Sequence, residues 1–150
     1  MHLQWRLKKF DALTPLELYD ILRLRNEVFV VEQQCVFQDA DNLDQPSHHL
    51  MGFRDAQLVA YTRIIPAGVA YPMASIGRVV TAPSVRRTGA GKLLMQESID
   101  KLFQLYGPVP IKIGAQLYLK SFYEGFGFRR VGDVYLEDGI EHISMERPVS

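Results

Sequence analysis

The sequence is poor in cysteine, in net charge and in long apolar runs, and each shortage removes a class of protein. One cysteine, Cys35, cannot close an internal disulfide, so a disulfide scaffold is excluded and Cys35 reads as a small buried hydrophobe. Seventeen basic residues balance seventeen acidic ones. The broad positive field that displaces counterions from duplex phosphates is therefore missing, and no nucleic-acid partner is expected. The longest apolar stretches, such as Val28-Phe29-Val30-Val31, fall far short of the roughly 20 residues of a membrane span. The first residues, Met1-His2-Leu3-Gln4-Trp5-Arg6, alternate instead of forming a signal peptide's basic end and apolar block. No membrane association and a cytoplasmic location follow as expectations.

What is present is ordinary globular usage, with 47% apolar and 23% charged residues over 150 positions. That is enough for one core in a single domain over 1–150. Leu3, Trp5 and Leu7 alternate with Gln4, Arg6 and Lys8 as in a half-buried strand. Thr14-Pro15-Leu16-Glu17 carries the cap, the proline and the back-bonding glutamate of a helix start, and the helix is expected to run to about Phe29. Residues 32–47 lack periodicity and read as a loop or short irregular helix. Strand-like runs cover His49 to Phe53, Leu58 to Pro66 and Ala74 to Thr81. Met95, Ile99, Leu102 and Tyr106 recur at helical spacing over about 90–106, up to Gly107-Pro108. A strand from Ile111 to Ala115, a short helix with the stripe Leu119, Phe122, Tyr123 and Phe126, and two strands, Arg129 to Leu136 and Ile140 to Met145, complete the order. An Asp138-Gly139 hairpin turn joins the last two. The mixture predicts an α+β fold of mixed α/β layers, with 74–115 forming a right-handed parallel crossover.

The chemically loaded segment is Arg86-Arg87-Thr88-Gly89-Ala90-Gly91, between a strand end and a helix start. Free backbone N–H groups and the positive end of a helix converge there, which suits a phosphate. A nucleotide P-loop would need glycine at 86 and Ser/Thr at 93, where Arg86 and Leu93 stand. A dinucleotide fingerprint would need a third glycine where Leu94 stands.

The pattern Arg/Gln-x-x-Gly-x-Gly/Ala after a strand resembles the pyrophosphate loop of the GNAT superfamily of N-acetyltransferases. Ser121-Phe122-Tyr123-Glu124-Gly125-Phe126-Gly127-Phe128 is similar to that superfamily's "FYxxxGF" helix, and Val79-Val80-Thr81-Ala82-Pro83 to its fourth strand. Leu24-Arg25-Asn26-Glu27-Val28-Phe29-Val30-Val31-Glu32-Gln33, with Asp39, Asp41 and Asp44, and Glu137-Asp138-Gly139-Ile140-Glu141-His142-Ile143, resemble the ElaA-like branch.

The resemblance implies a GNAT fold: a mixed, mostly antiparallel sheet of about seven strands, splayed between the fourth and fifth, with about four flanking helices. It also implies acetyl-CoA as co-substrate and an amine of a small molecule or peptide as acceptor. Val79, Val80, Thr81, Arg86, Arg87, Thr88, Gly89, Ala90, Gly91 and Lys92 would bind the cofactor, and Tyr123 would return a proton to the leaving thiolate. Tyr123 equally suits a core tyrosine on its stripe. At the position of the glutamate base found in many members stands Ser75, which leaves Glu32, His49 and His142 as candidates. Gln116 and Leu117 stand near the place of a frequent asparagine.

The acidic run Asp39, Asp41, Asp44 reads either as an attractor for a cationic amine or as a solvated loop. Calcium is not expected there, because Leu43 stands where an EF-hand needs an oxygen ligand. Cys35, His48, His49 and His142 have no metal-ligand spacing, so no metal is expected. Arg63 and Arg78 read as phosphate anchors or partners of surface acids and are left out of the site. An acyl-CoA-binding module without turnover and a transferase of longer acyl chains are the alternatives, and a homodimer is left open.

Overall fold

The computed structural model describes residues 2–149; Met1 and Ser150, the ends of the expected 1–150 domain, lie outside them. The chain builds two antiparallel sheets. The first has the order β1 (Gln4–Lys9), β2 (His48–Arg54), β3 (Gln57–Ile65), β4 (Ser75–Thr81). The second holds β5 (Ile111–Gln116), β8 (Ile140–Arg147) and β6 (Arg129–Arg130), with β7 (Tyr135–Glu137) also paired to β8. The fold is α+β, as the sequence predicts. The sheets meet where Ala74 bridges Ile111 in parallel and Lys112 N–H donates to the Ala74 carbonyl at 3.0 Å. Past that point β4 and β5 diverge.

Two α-helices cover opposite faces of the first sheet. Helix α1 (Pro15–Arg25) opens with the capping box, in which Thr14 Oγ1 accepts from Glu17 N–H at 3.1 Å and Glu17 Oε1 from Thr14 N–H at 2.9 Å. Helix α2 (Ala90–Tyr106) buries Leu94, Met95, Ile99 and Leu102, and its Ser98 hydroxyl meets the buried Thr62 hydroxyl at 2.7 Å. On β3, Thr62 thus faces α2, whereas Tyr61 and Arg63 face Arg25 of α1, as the two-residue period of a strand requires. Covered on both faces, β3 is buried from Leu58 to Ile65. On β2, Gly52 leaves room for Trp5 of β1: a Cβ there would stand 2.7 Å from the indole ring. Helix α3 (Lys120–Glu124) is short. Among the described residues no helix is long and apolar enough to cross a membrane.

The structure departs from the sequence-based expectation in three places. The first helix does not run as an α-helix to Phe29. After Arg25 it widens into a π-helix over Asn26–Glu32, with Gln33 N–H bonding the Val28 carbonyl and Cys35 N–H that of Val30. The wider turn keeps Val28 in the core and turns Phe29, Glu32 and Gln33 toward the gap between the sheets. The expected strand over 129–136 is two short ones, because Arg130 pairs with Met145 and Tyr135 with His142, at opposite ends of β8. The strand count is accordingly eight, and the α-helices number three among the described residues. In β4 the pairing register shifts opposite Tyr61–Arg63, and Arg78 sits in that bulge with φ of 50°.

Candidate active site

The divergence of β4 and β5 opens a cleft of about 690 Å³. One wall is β4, whose outer edge has no strand partner beyond the Ala74–Ile111 bridge. The other wall is β5 with α3 and the β7–β8 hairpin, and the π-helix roofs the gap. Of the residues expected to bind a cofactor, Val79, Val80, Thr81, Arg86 and Gly91 line this cleft. Arg87, Thr88, Gly89 and Lys92 are exposed beyond its lined surface, and the Ala90 side chain is buried in the core.

The loop adopts the geometry of an anion cradle. Arg87 and Gly89 take φ of 62° and 89°, so successive N–H groups turn inward. Thr88 Oγ1 donates to the Val85 carbonyl and steadies the turn. Gly89 caps α2 in the left-handed conformation, and no side chain caps the helix, which leaves its first N–H groups available. Arg86 donates from both terminal nitrogens to Glu32 Oε1 and Oε2, each at 2.6 Å, tying the loop to the π-helix. That pairing, opposed by slight burial, holds the Glu32 carboxyl below its ordinary range.

Tyr123 lies at the cleft floor, 5% exposed, with its ring edge-on to Phe122 and to Phe128. Burial, with the neighbouring Tyr118 adding to it, pushes this phenol well above its usual range, so it stays protonated.

Of the three candidate bases, the structure removes one. His49 is fully buried and outside the cleft; its Nδ1 accepts from Tyr61 Oη at 2.6 Å and its Nε2 donates to the Asp44 carbonyl at 2.9 Å. Burial raises the Tyr61 phenol, which fixes that hydroxyl as donor, and pushes the His49 imidazole down. Both of its nitrogens are committed. Glu32 lines the cleft with both oxygens paired to Arg86. His142 lines the cleft from β8, stacked on Tyr135 with ring centroids 5.8 Å apart.

The aspartates of the 32–47 loop are gripped by arginines, Asp39 and Asp44 inside the protein and Asp41, partly exposed, on the cleft lining. Asp44 Oδ1 accepts from Arg25 Nη1 at 2.8 Å and Arg63 Nη1 at 2.9 Å. Asp39 accepts from Arg25 Nε at 2.8 Å and Arg78 Nε at 2.9 Å, and Asp41 forms a fork with Arg63 at 2.7 and 2.9 Å. Asp39 and Asp44 are buried, as are Arg25 and Arg63. The reading of Arg63 as a phosphate anchor or surface ion pair is thus corrected, because its guanidinium is inside. Arg78, left out by the sequence reading, lines the cleft. Nothing local in the sequence marks its bulge, since a positive φ at an arginine comes from the aspartates that grip its guanidinium. Glu137 and Asp138 also line the cleft, in the segment that resembles the ElaA-like branch.

Comparison with known proteins agrees with this architecture. A family model described as an acetyltransferase (GNAT) domain matches residues 18–148. A UPF0039 protein of Synechocystis is 44% identical over 146 residues, covering 97% of this chain and 95% of that protein. Escherichia coli ElaA is 38% identical over 98% of this chain and 97% of its own. A crystal structure from Pseudomonas aeruginosa described as an acyl-CoA N-acyltransferase superposes with a TM-score of 0.93 at 42% identity, covering 97% of this chain and 99% of that one.

Proposed function

Because the chain belongs to the GNAT acetyltransferase family, we propose that it is a single-domain N-acyltransferase that moves an acetyl group from acetyl-CoA to a primary amine of a small molecule or peptide. The observation that carries this reading is the cleft between diverging β4 and β5, with the uncapped start of α2 at one end and Tyr123 at its floor. A pyrophosphate fits the left-handed turn at Arg87 and Gly89, where backbone donors and the helix dipole both favour negative charge. Arg86 adds a guanidinium once it parts from Glu32. Acetyl-CoA would supply an activated thioester. Of the two candidates Val79 and Val80, Val79 offers its backbone N–H at the free edge of β4 to the thioester carbonyl, whose oxygen gains charge as the amine attacks, while Val80 N–H lies on the β3 side with that of Ala82, which donates to the Val59 carbonyl. Tyr123, kept protonated by burial, would give its proton to the departing thiolate.

The test has two parts. Acetyl-CoA at about 100 times its Kd should stabilise the protein by about 2.7 kcal/mol in a thermal unfolding assay, and a panel of primary amines should release thiol. No stabilisation refutes acetyl-CoA binding. Stabilisation without thiol release on any amine refutes the transferase and leaves an acyl-CoA-binding module, the alternative that Ser75 at the place of a glutamate keeps open.

A further inference from the structure

We propose that His142 is the general base that takes the proton from the acceptor ammonium, with the Ile140 carbonyl fixing its tautomer and the Glu137 carboxylate stabilising its protonated form. The inference rests on the acetyl-transfer reading above and deepens it by assigning the step that Ser75 cannot perform.

The first observation is the tautomer. His142 Nδ1 lies 2.7 Å from the Ile140 carbonyl oxygen. A carbonyl only accepts, so Nδ1 carries the hydrogen and Nε2 carries the lone pair. The second observation is what Nε2 meets. Glu137 Oε2 stands 3.4 Å from it. A carboxylate beside an imidazole lone pair offers nothing to the neutral ring, and it stands ready to accept from Nε2 once that nitrogen has taken a proton. The third is placement. His142 pairs through its backbone with Gln116 of β5 and with Tyr135 of β7, and its ring stacks on that of Tyr135. His142, Glu137 and Tyr123 all line one cleft.

The other candidates lack this arrangement. His49 has both nitrogens bonded away from the cleft, and Glu32 has both oxygens on Arg86. The titratable groups that face His142 are Tyr135 and Glu137 of β7; beyond them lies Tyr71, whose phenol feels both, and the Asp138 carbonyl of the turn accepts from Cys35 Sγ at 3.1 Å.

The protons balance over one turnover. The alkylammonium gives one proton to His142 Nε2, and the amine nitrogen bonds the thioester carbonyl carbon. The C–S bond then breaks, the thiolate takes the Tyr123 proton, and the nitrogen returns its second proton to the tyrosinate. His142 finally releases its proton to solvent. The products are one amide, one thiol and one proton.

The experiment measures kcat/KM from about pH 6 to about pH 10 for the primary alkylamine that the wild-type protein acetylates fastest. His142→Gln should lose roughly 100-fold near neutral pH. It should recover toward wild type at high pH, where the amine sheds its own proton, while its acetyl-CoA Kd and unfolding midpoint stay within error of wild type. In Glu137→Gln, at an exposed position, kcat/KM near neutral pH should fall severalfold with the acetyl-CoA Kd and the unfolding midpoint unchanged, because the ring loses its charged acceptor once it has taken the proton. His142→Gln at wild-type activity overturns the inference. So does an equal loss at every pH, which marks a structural role, and so does wild-type kcat/KM in Glu137→Gln. Wild-type protein that acetylates no amine overturns the transferase reading itself, and the base assignment with it.

Discussion

Removing the Asp44 carboxylate should cost more than almost any other single polar change in the molecule. Asp44→Ala deletes the acceptor of two charge-assisted hydrogen bonds, from Arg25 Nη1 at 2.8 Å and Arg63 Nη1 at 2.9 Å. Each such bond contributes about 1.5–3 kcal/mol. Both guanidiniums are buried, at 1% and 2% exposure, so neither can turn to water for a replacement. Arg25 retains Asp39 and Arg63 retains Asp41, which keeps the loss near the ordinary figure for breaking a buried pair, about 3–5 kcal/mol. The His49 hydrogen bond goes to the Asp44 backbone carbonyl and survives the substitution. Urea unfolding followed by the fluorescence of Trp5, the single tryptophan, reads the change directly. The midpoint of thermal unfolding should fall by about 10–15 °C. Asp44→Asn, which keeps an acceptor but no charge, should lose about half as much. A loss under about 1 kcal/mol for Asp44→Ala would refute the view that the loop is pinned by buried charge.

Tyr123→Phe should lower kcat by roughly 100-fold while leaving acetyl-CoA affinity within about twofold, measured by steady-state kinetics and titration; kcat at the wild-type level would remove Tyr123 from the chemistry. Glu32→Gln should free Arg86 for phosphate and tighten acetyl-CoA binding by up to about fivefold in a calorimetric titration, the scale of an exposed ion pair. Unchanged or weaker binding would take Arg86 out of the phosphate site. Stability should also depend on acid. For both Glu17 and Asp41, burial alone would raise the carboxyl, but hydrogen bonds win and hold each at about 2, with the Thr14 amide first at Glu17 and Arg63 at Asp41. A depressed folded value means that the stabilisation is complete above the unfolded value near 4 and is lost as pH falls through the folded value. Urea midpoints should therefore drop between about pH 4 and about pH 2, and a flat profile there would contradict both assignments.

What the sequence made legible is what local rules govern. The capping box at Thr14 and Glu17, the alternation of Leu3, Trp5 and Leu7, the glycine turn before α2 and the Asp138-Gly139 hairpin all depend on residues a few positions apart. Tyr123 is singled out by its motif alone, since its helical stripe is equally that of a core residue. The illegible parts come from distant contacts. Asp39, Asp41 and Asp44 look like a solvated run until Arg25, Arg63 and Arg78 arrive from α1, β3 and β4. The bulge at Arg78 and the split of 129–136 each follow from pairing partners that no local window contains. His142 and His49 are alike in the sequence and part only in the fold, where His142 lines the cleft and His49 is buried away from it.

The π-helix over Asn26–Glu32 has a bearing on how this chain tolerates length change. A π turn stores one residue more than an α turn. Deleting a single residue there would let the helix heal into regular α geometry, so the fold itself would accept the shorter chain. In a regular α-helix the same deletion would swing every later position by about 100° around the axis. Here the surplus residue of the wide turn absorbs the loss, and the positions after it keep nearly their place. The segment therefore behaves as a length buffer: one residue can go while Glu32 and Gln33 stay within reach of Arg86 and Gln116.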